Sequence, residues 1–269
     1  STQGVSSAAS DVYKRQVKNN EGEWVLLNGN QTALMFVYYL ITRWKELGKI
    51  NGKEYIVKTI VTTETIKTIA ERNGVEMYDV YTGFKWIANV MRENEGKKNY
   101  IGGGEESYGF LCEDFVRDKD AVSACVILAE IAAWAKDQGL SLYQLLQKIY
   151  VEYGFSKEKG ISVVKKGKSG AEEIEAMMKK FRENPLTEIA GSKVTYFYDY
   201  STLKGKDYAE NETVTLDMPT TSNVLQYFTE DNTKVSIRPS GTEPKIKFYC
   251  EVHSKVKSCL LYTSPSPRD

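Results

Sequence analysis

Apolar and polar positions in the first half of the chain change repeatedly between a spacing of two residues and a spacing of three to four residues. The first spacing predicts strands, the second predicts amphipathic helices, and the links between them are short. Such alternation predicts a parallel sheet covered by helices, in which ligands bind beyond the carboxyl ends of the strands. The predicted elements are strands at 24–27, 55–62 and 75–81, and helices at 31–47, after Thr63 and at 86–93.

The second half begins with apolar helices and continues with strands. Helical spacing predicts helices at 121–136 and 142–153, and the first domain is expected to close near Phe155. Residues 156–170 are polar and rich in lysine and glycine, which is typical of a hinge or hairpin between domains. A helix followed by several strands predicts a small α+β domain after this stretch. The elements predicted in this domain are a helix at 171–182 and strands at 193–200, 224–228, 234–237 and 245–252.

The two ends of the chain show no apolar period. With suitable codons, the DNA that encodes each end would be a sequencing adapter. We expect these ends to be non-native and the chain to be a fragment, and a pair of natural disordered tails is the alternative. The predicted fold class is α/β, a parallel-sheet α/β domain followed by a smaller α+β domain. The predicted segments are an adapter-like end at 1–16, a remnant of a preceding domain at 17–27, the α/β domain at 28–155, the hinge at 156–170, the α+β domain at 171–257 and an adapter-like tail at 258–269.

Composition excludes some classes of partner. Lysine plus arginine and aspartate plus glutamate each number 36, so the net charge is zero and gives no electrostatic case for a nucleic-acid partner. The four cysteines show neither paired nor metal-finger spacing, which predicts buried thiols in the reducing cytoplasm. The longest apolar run, at 121–134, contains Glu130 and is too short to cross a bilayer, so no membrane partner is expected.

A glycine-rich loop carries the first candidate chemistry. Residues 103–109 read GGEESYG and place the carboxylates of Glu105 and Glu106 beside the hydroxyl of Ser107 at a predicted strand end. Carboxylates and hydroxyls on such a turn can form hydrogen bonds with sugar hydroxyls. A tight turn without a ligand is the alternative interpretation.

A second loop carries groups that bind anions. Residues 238–244 read RPSGTEP and lie between two predicted strands, where proline and glycine alone would suit an ordinary turn. A guanidinium, two hydroxyls and a nearby ammonium are also the donors of a phosphate-binding loop, and we predict that function. The predicted phosphate-binding residues are Arg238, Ser240, Gly241, Thr242 and Lys247.

Further residues are candidates because of their position. Thr82 and Gly83 follow a predicted strand, at the edge where parallel sheets bind ligands. Lys119 precedes a buried helix and is a candidate site lysine, with a surface ion pair to a neighbouring aspartate as the alternative. His253, the single histidine, is expected to face solvent, and no set of metal ligands is predicted.

In this order and at this spacing, the two loops resemble those of the α-D-phosphohexomutases, most closely the phosphoglucomutase and phosphopentomutase branch, over about residues 17–257. The resemblance implies that Glu105 and Ser107 contact the sugar in the family's third domain. It implies that residues 238–244 bind phosphate in the fourth domain. Residues 82–85 and 118–120 match further active-site segments of that branch, which leaves Lys119 as the candidate general base.

The resemblance also implies a reaction, the interconversion of glucose 1-phosphate and glucose 6-phosphate. An enzyme phosphoserine gives its phosphoryl group to the sugar, the bisphosphate reorients, and the other phosphate returns to the serine with Mg²⁺ assistance. A sugar bisphosphate is thus both activator and intermediate. The expected partners are a small phosphosugar and the N-terminal domains of the intact enzyme.

The sequence departs from the family in two respects. Neither the phosphoserine loop nor the aspartate-rich metal loop has a counterpart here, and residues 108–110 supply no histidine where some relatives place one after the sugar loop. We therefore expect this chain alone to lack mutase activity and to hold no Mg²⁺. Three alternatives stay open: a phosphopentomutase fragment, a sugar-bisphosphate synthase fragment, and a non-catalytic phosphosugar-binding module.

Overall fold

The computed structural model of the chain describes residues 16–165, 167–241 and 243–256. The predictions made for the two adapter-like ends, apart from Gln16, and for Thr242 lie outside these residues. The chain divides into two compact units. Of the described residues, unit 1 contains 16–155 together with Lys255 and Val256, and unit 2 is Ser156–Ser254.

Unit 1 is a helix-covered sheet that begins with a small hairpin of β1 and β2. Its main sheet has the strand order β4-β3-β5-β6, and β3 is parallel to both β4 and β5. The strand β6 runs antiparallel to β5, which the predicted parallel sheet did not include. The elements are β1 (Gln16–Lys18), β2 (Trp24–Leu26), α1 (Gly29–Glu46), β3 (Glu54–Thr59), α2 (Thr65–Arg72), β4 (Glu76–Val80), α3 (Phe84–Glu93), β5 (Asn99–Gly104), β6 (Phe110–Cys112), α4 (Ala121–Asp137) and α5 (Leu142–Tyr153).

The central strand β3 is buried on both faces, as expected for a parallel strand between helical layers. Alternate residues of a strand point to opposite faces, so Ile56 packs with α1, α2, α4 and α5, whereas Tyr55 and Val57 pack with α3. Side-chain caps fix where the helices begin. Asn28 forms a capping box with Gln31 at the start of α1.

Unit 2 is an antiparallel sheet with one long helix against it. The strand order is β11-β10-β9-β12-β13-β14-β7, and β8 pairs with β9 outside this path. Ile174 and Met178 of α6 pack on the buried side chains of the central strands, such as Tyr227. The elements are β7 (Phe155–Val164), α6 (Gly167–Glu183), β8 (Glu188–Ile189), β9 (Ser192–Asp199), β10 (Lys204–Asp207), β11 (Glu212–Thr215), β12 (Leu225–Thr229), β13 (Lys234–Pro239) and β14 (Lys245–Ser254).

Residues 156–170, predicted as a hinge or hairpin, consist mainly of regular secondary structure. Most of this stretch is β7, an edge strand beside β14, and α6 begins at Gly167. The side chains of β7 are largely exposed, so no apolar period marks this strand in the sequence. Its pairing depends on main-chain hydrogen bonds, which polar residues make as well as apolar ones. In the described part of the chain, no helix is both long enough and apolar enough to span a membrane.

Candidate functional site

The glycine-rich loop leaves the sheet at the carboxyl end of β5. Its neck is closed by a hydrogen bond in which the Glu105 main-chain N–H donates to the Gly109 carbonyl oxygen, at 2.8 Å. Glu105 is 8% exposed, whereas Ser107 at the tip of the loop is exposed. The loop therefore holds its first carboxylate inward and offers a hydroxyl to solvent.

The loop after β4 reaches the same carboxylate. The main-chain N–H of Gly83 donates to Oε1 of Glu105 at 2.7 Å. Gly83 has a φ of 115°, a conformation that glycine adopts readily and other residues avoid. Thr82 precedes it and is half-buried. Because β3, β4 and β5 are parallel, their carboxyl ends meet at one edge, and the predicted residues Thr82, Gly83 and Glu105 come together there.

Lys119 lies on the other side of this loop. A Cβ atom added to Gly109 would be 3.0 Å from Cδ of Lys119 and 3.2 Å from Oε2 of Glu105, so both side chains flank the same glycine. The Lys119 Nζ is 5.6 Å from the centre of the Phe84 ring, which faces it at the start of α3. It is also 3.3 Å from Asp118 Oδ1. The ammonium is thus paired at the surface and adjacent to the loop, so both interpretations of this lysine have a structural basis.

A buried lysine close to this edge was missed by the sequence analysis. The Lys58 side chain is 1% exposed, and its Nζ lies 2.6 Å from Asp79 Oδ1 and 2.9 Å from Glu64 Oε1. A charge at this depth needs such partners. The one available signal was a lysine within the apolar run of β3, at 54–59.

The second loop is the turn between β13 and β14 in unit 2. The Ser240 main-chain N–H donates to the Lys245 carbonyl oxygen at 2.8 Å and closes the turn. Arg238 and Lys247 are directly opposite each other on the two strands and so share one face of the sheet. Arg238, Ser240 and Gly241 line a cleft of about 850 Å³. Thr242, the fourth predicted residue of the loop, lies outside the described residues.

This cleft carries charges of both signs. Lys245 Nζ is 2.5 Å from Glu243 Oε2, and the hydrogen bond from Lys245 lowers the pKa of the Glu243 carboxyl. Glu172 and Glu175 of α6 line the same cleft. An anion bound here would therefore depend on directed donors, mainly the guanidinium and the turn, rather than on an overall positive field.

His253 departs from the expectation that it faces solvent. Its side chain is 22% exposed, and Nε2 is 2.9 Å from Oε1 of the buried Glu251. Lys234, also buried, pairs with the other carboxylate oxygen of Glu251 at 3.0 Å. The histidine thus contacts the buried Lys234–Glu251 ion pair near the end of β14.

The Mg²⁺ that the family resemblance implies has no matching set of ligands in the described part of the chain. No three histidine, cysteine, aspartate or glutamate side chains cluster there in a way that could hold a metal ion. Mg²⁺ prefers oxygen ligands in near-octahedral geometry, usually with one or two carboxylates. The residues that the structure describes therefore offer no preformed cluster of ligands that fits the ion.

Two family profiles match the chain. One, phosphoglucomutase/phosphomannomutase alpha/beta/alpha domain III, covers residues 28–153. The other, the phosphoglucomutase/phosphomannomutase C-terminal domain, covers residues 162–258. The chain belongs to the phosphoglucomutase/phosphomannomutase family. The match to domain III and to the C-terminal domain confirms the predicted family and the predicted fold class.

The family's curated members include similar sequences from staphylococci. A phosphoglucomutase from Staphylococcus haemolyticus is 33% identical over 236 residues, which cover 88% of this chain and 42% of that protein. A phosphoglucomutase from Staphylococcus aureus strain RF122 is 37% identical over 228 residues, which cover 85% of this chain and 40% of that protein. The chain thus spans about two fifths of the length of these relatives.

Solved structures of the family share the fold. The Paramecium phosphoprotein parafusin, described as a phosphoglucomutase, matches with a TM-score of 0.59 at 15% identity and covers 91% of this chain and 39% of its own. A putative phosphomannomutase from Thermus thermophilus matches with a TM-score of 0.55 at 17% identity and covers 86% of this chain and 38% of its own.

Proposed function

We propose that this chain is the substrate-binding C-terminal part of a phosphoglucomutase, an enzyme that interconverts glucose 1-phosphate and glucose 6-phosphate through a bisphosphate. The observation that carries the proposal is the convergence of Gly83, Glu105 and Lys119 at the carboxyl edge of the parallel sheet. This edge is where such sheets bind ligands. The phosphoglucomutases among the relatives support the assignment of the reaction.

Unit 1 supplies the groups that orient the sugar. One oxygen of Glu105 accepts the Gly83 N–H, so the carboxylate is held in one direction. A fixed carboxylate accepts hydrogen bonds from sugar hydroxyls without losing side-chain freedom on binding. Ser107 adds a hydroxyl at the tip, and Lys119 is positioned to hold or move a proton beside the loop. A mutase must accept its substrate in two orientations, and these groups suit hydroxyls common to both.

Unit 2 supplies the groups that hold a phosphate. The guanidinium of Arg238 and the turn at Ser240 and Gly241 face one cleft. Arginine binds phosphate with two parallel hydrogen bonds, which fixes direction as well as adding affinity. Lys247 shares the face of Arg238 and adds a second cation, and Thr242 is proposed as a further donor.

The phosphoserine and the Mg²⁺ site of the intact enzyme are proposed to belong to its N-terminal domains, and a sugar bisphosphate to be its intermediate and activator. This chain alone is therefore expected to be inactive. An assay of purified chain with glucose 1-phosphate, glucose 1,6-bisphosphate and Mg²⁺ checks this. Formation of glucose 6-phosphate well above a protein-free blank contradicts it.

Calorimetry tests the binding function directly. We expect glucose 6-phosphate to release or absorb heat on binding to the chain and Arg238→Ala to remove most of that signal. The exposed Lys193 of β9 offers a matched control, because Lys193→Ala also removes one surface cation of unit 2. Ribose 5-phosphate in place of glucose 6-phosphate separates a pentomutase from a glucomutase. No heat with either sugar phosphate rejects the chain as a self-sufficient binding module.

We also propose that the enzyme works in the cytoplasm. Cys112, Cys125 and Cys250 carry free thiols, which supports a reducing compartment. Burial raises the pKa of the Cys112 thiol to about 12, so this thiol is protonated and unreactive. Non-reducing mass spectrometry of the protein from cell extract tests this by counting alkylated thiols.

A further inference from the structure

Adjacent carboxylates of the glycine-rich loop point to different neighbours. Glu105 Oε1 accepts from Gly83, whereas Glu106 Oε2 accepts from the Thr59 hydroxyl at 3.1 Å. The Thr62 hydroxyl lies 3.5 Å from the same Glu106 oxygen and 2.8 Å from the Thr59 hydroxyl. Both threonines are fully buried. The second carboxylate is thus directed at the turn between β3 and α2 and is held there by protein hydroxyls.

The main chain of Glu106 is held as closely as its side chain. A Cβ atom added to Gly29, at the start of α1, would lie 1.9 Å from the Glu106 carbonyl oxygen and 2.8 Å from the Tyr108 nitrogen. Real Cβ atoms never approach this closely, so the loop backbone rests directly on α1. The loop is therefore fixed on two sides, by α1 and by the β3–α2 turn.

The structure that receives Glu106 is itself fixed by charge. Lys58 immediately precedes Thr59, and its buried ammonium joins Asp79 of β4 to Glu64 before α2. A buried charge that is paired on two sides resists displacement, because moving it would leave carboxylates or an ammonium unpaired. Thr59 therefore presents its hydroxyl to Glu106 from a rigid strand end.

We propose that Glu106 is a positioning residue, which anchors the loop on Thr59 and thereby aims Glu105 at the ligand and at the Gly83 amide. This inference rests on the proposed function of Glu105 as a sugar-binding residue. Neighbouring residues of the turn thus differ in function. Glu106 contacts Thr59 within the protein, and this contact leaves Glu105 and Ser107 in place to bind the substrate.

The Gly83 amide gives a readout of the anchor that needs no ligand. In a ¹⁵N-labelled chain, its hydrogen exchange and its amide chemical shift both report the contact with the Glu105 carboxylate. We expect Glu106→Ala to speed exchange at Gly83 about tenfold and to move its amide chemical shift toward the value found in Glu105→Ala. We expect Glu106→Gln to restore most of both signals, because its amide oxygen still accepts from Thr59.

Three further variants complete the experiment. Glu105→Ala removes the acceptor and sets the fully released value for Gly83. Thr59→Val removes only the hydroxyl from the other partner, so we expect it to reproduce the effect of Glu106→Ala even if that variant fails to fold. Glu71→Ala, an exposed glutamate on α2, controls for loss of charge and should leave the Gly83 signals unchanged.

The proposal is overturned if Glu106→Ala and Thr59→Val leave the Gly83 signals as in the unaltered chain while Glu105→Ala changes them. It is equally overturned if Glu106→Gln behaves like Glu106→Ala. The hydrogen-bond acceptor for Thr59 would then be present without holding Gly83 and Glu105 together. Absence of glucose 6-phosphate binding instead rejects the proposed function and leaves the Gly83 readout intact, so the two failures are distinguishable.

Discussion

The two candidate loops differ in how the protein holds them. The loop at 105–109 has its carboxylate bonded to a main-chain N–H, its neck closed and its backbone against α1. The turn at 238–241 ends a hairpin, and its groups face a cleft of about 850 Å³ with an exposed glycine at the tip. The first is built into a packed sheet edge, whereas the second is a surface turn.

This difference corresponds to what each loop is proposed to recognise. Sugar hydroxyls are neutral and distinguished only by direction, so their acceptors gain from being held in place before the ligand arrives. A phosphate is charged and nearly symmetric, and a guanidinium beside main-chain donors can bind it without a rigid frame. Specificity is thus expected from unit 1 and anchoring from unit 2.

The largest expected effect comes from removing the charge beneath the rigid loop. Lys58→Ala leaves Asp79 and Glu64 without the ammonium between them and opens a cavity in β3. We expect a loss of about 3 kcal/mol in the free energy of unfolding of unit 1, measured by urea denaturation. Lys67→Ala, which removes an exposed partner of Glu71, should cost less than about 0.5 kcal/mol. Equal effects of the two variants would contradict the account.

A pair of glycines tests rigidity in the two loops directly. Gly29→Ala places a methyl group 1.9 Å from the Glu106 carbonyl oxygen, so α1 and the loop must separate. We expect a loss of about 2 kcal/mol in the free energy of unfolding. Gly241→Ala meets no atom within 4 Å and should change stability by less than about 0.5 kcal/mol. Thermal denaturation of both variants checks this, and a destabilising Gly241→Ala would mean that the second loop is as tightly packed as the first.

Loss of the Arg238 guanidinium should weaken phosphate binding without lowering the thermal stability of the chain. We expect Arg238→Ala to weaken the binding of inorganic phosphate at least about tenfold, since a charge-assisted hydrogen bond is lost. The unfolding midpoint should stay within the error of measurement, because Arg238 is half-buried beside an open cleft. Fluorescence-based thermal shift with and without phosphate measures both quantities. A lower midpoint without phosphate would show that this arginine supports the fold.

The smallest expected effect on stability comes from Asp231, in a second hairpin turn of unit 2 between β12 and β13. The hydrogen bond from the Thr229 hydroxyl, with further bonds from Thr233, lowers the pKa of Asp231 to about 2. A depressed folded-state pKa means that this carboxylate stabilises the protein above its ordinary pKa and ceases to do so as pH falls through about 2. Because Asp231 is exposed, we expect Asp231→Asn to cost no more than about 1 kcal/mol at neutral pH.

Denaturation of Asp231→Asn and the unaltered chain at neutral pH and in acid checks the sign. The difference between them should shrink as pH falls from about 4 toward about 2. A difference that grows in acid would show that the carboxyl is more stabilising when protonated, contrary to the geometry of this turn.

The glycine-rich loop and most strands of the first sheet could be predicted from the sequence, because residues close together in the chain determine them. The run GGEESYG and the residues after each strand of unit 1 could be located from spacing alone, and the parallel register then brings Thr82, Gly83 and Glu105 together. The proximity of Lys119 to Gly109 also follows from the chain order of loop, β6 and α4.

Other features could not be read from the chain, because they depend on partners distant in sequence. The strands β7 and β11 are largely exposed and β10 is a short polar strand, so pairing with a neighbouring strand is what orders them. The anchor from Glu106 to Thr59 crosses 47 positions, and the Lys58 contact with Asp79 crosses 21. Neither distance leaves a periodic signal.

The most direct test of the central claim is a ¹⁵N NMR titration of the chain, first with inorganic phosphate and then with glucose 6-phosphate. The account predicts that phosphate shifts the amides near Arg238 and Gly241 alone, and that the sugar phosphate also shifts Gly83 and residues 105–109. A titration in which glucose 6-phosphate leaves Gly83 and 105–109 unchanged, while phosphate and sugar phosphate act identically on unit 2, would contradict the assignment of sugar recognition to unit 1.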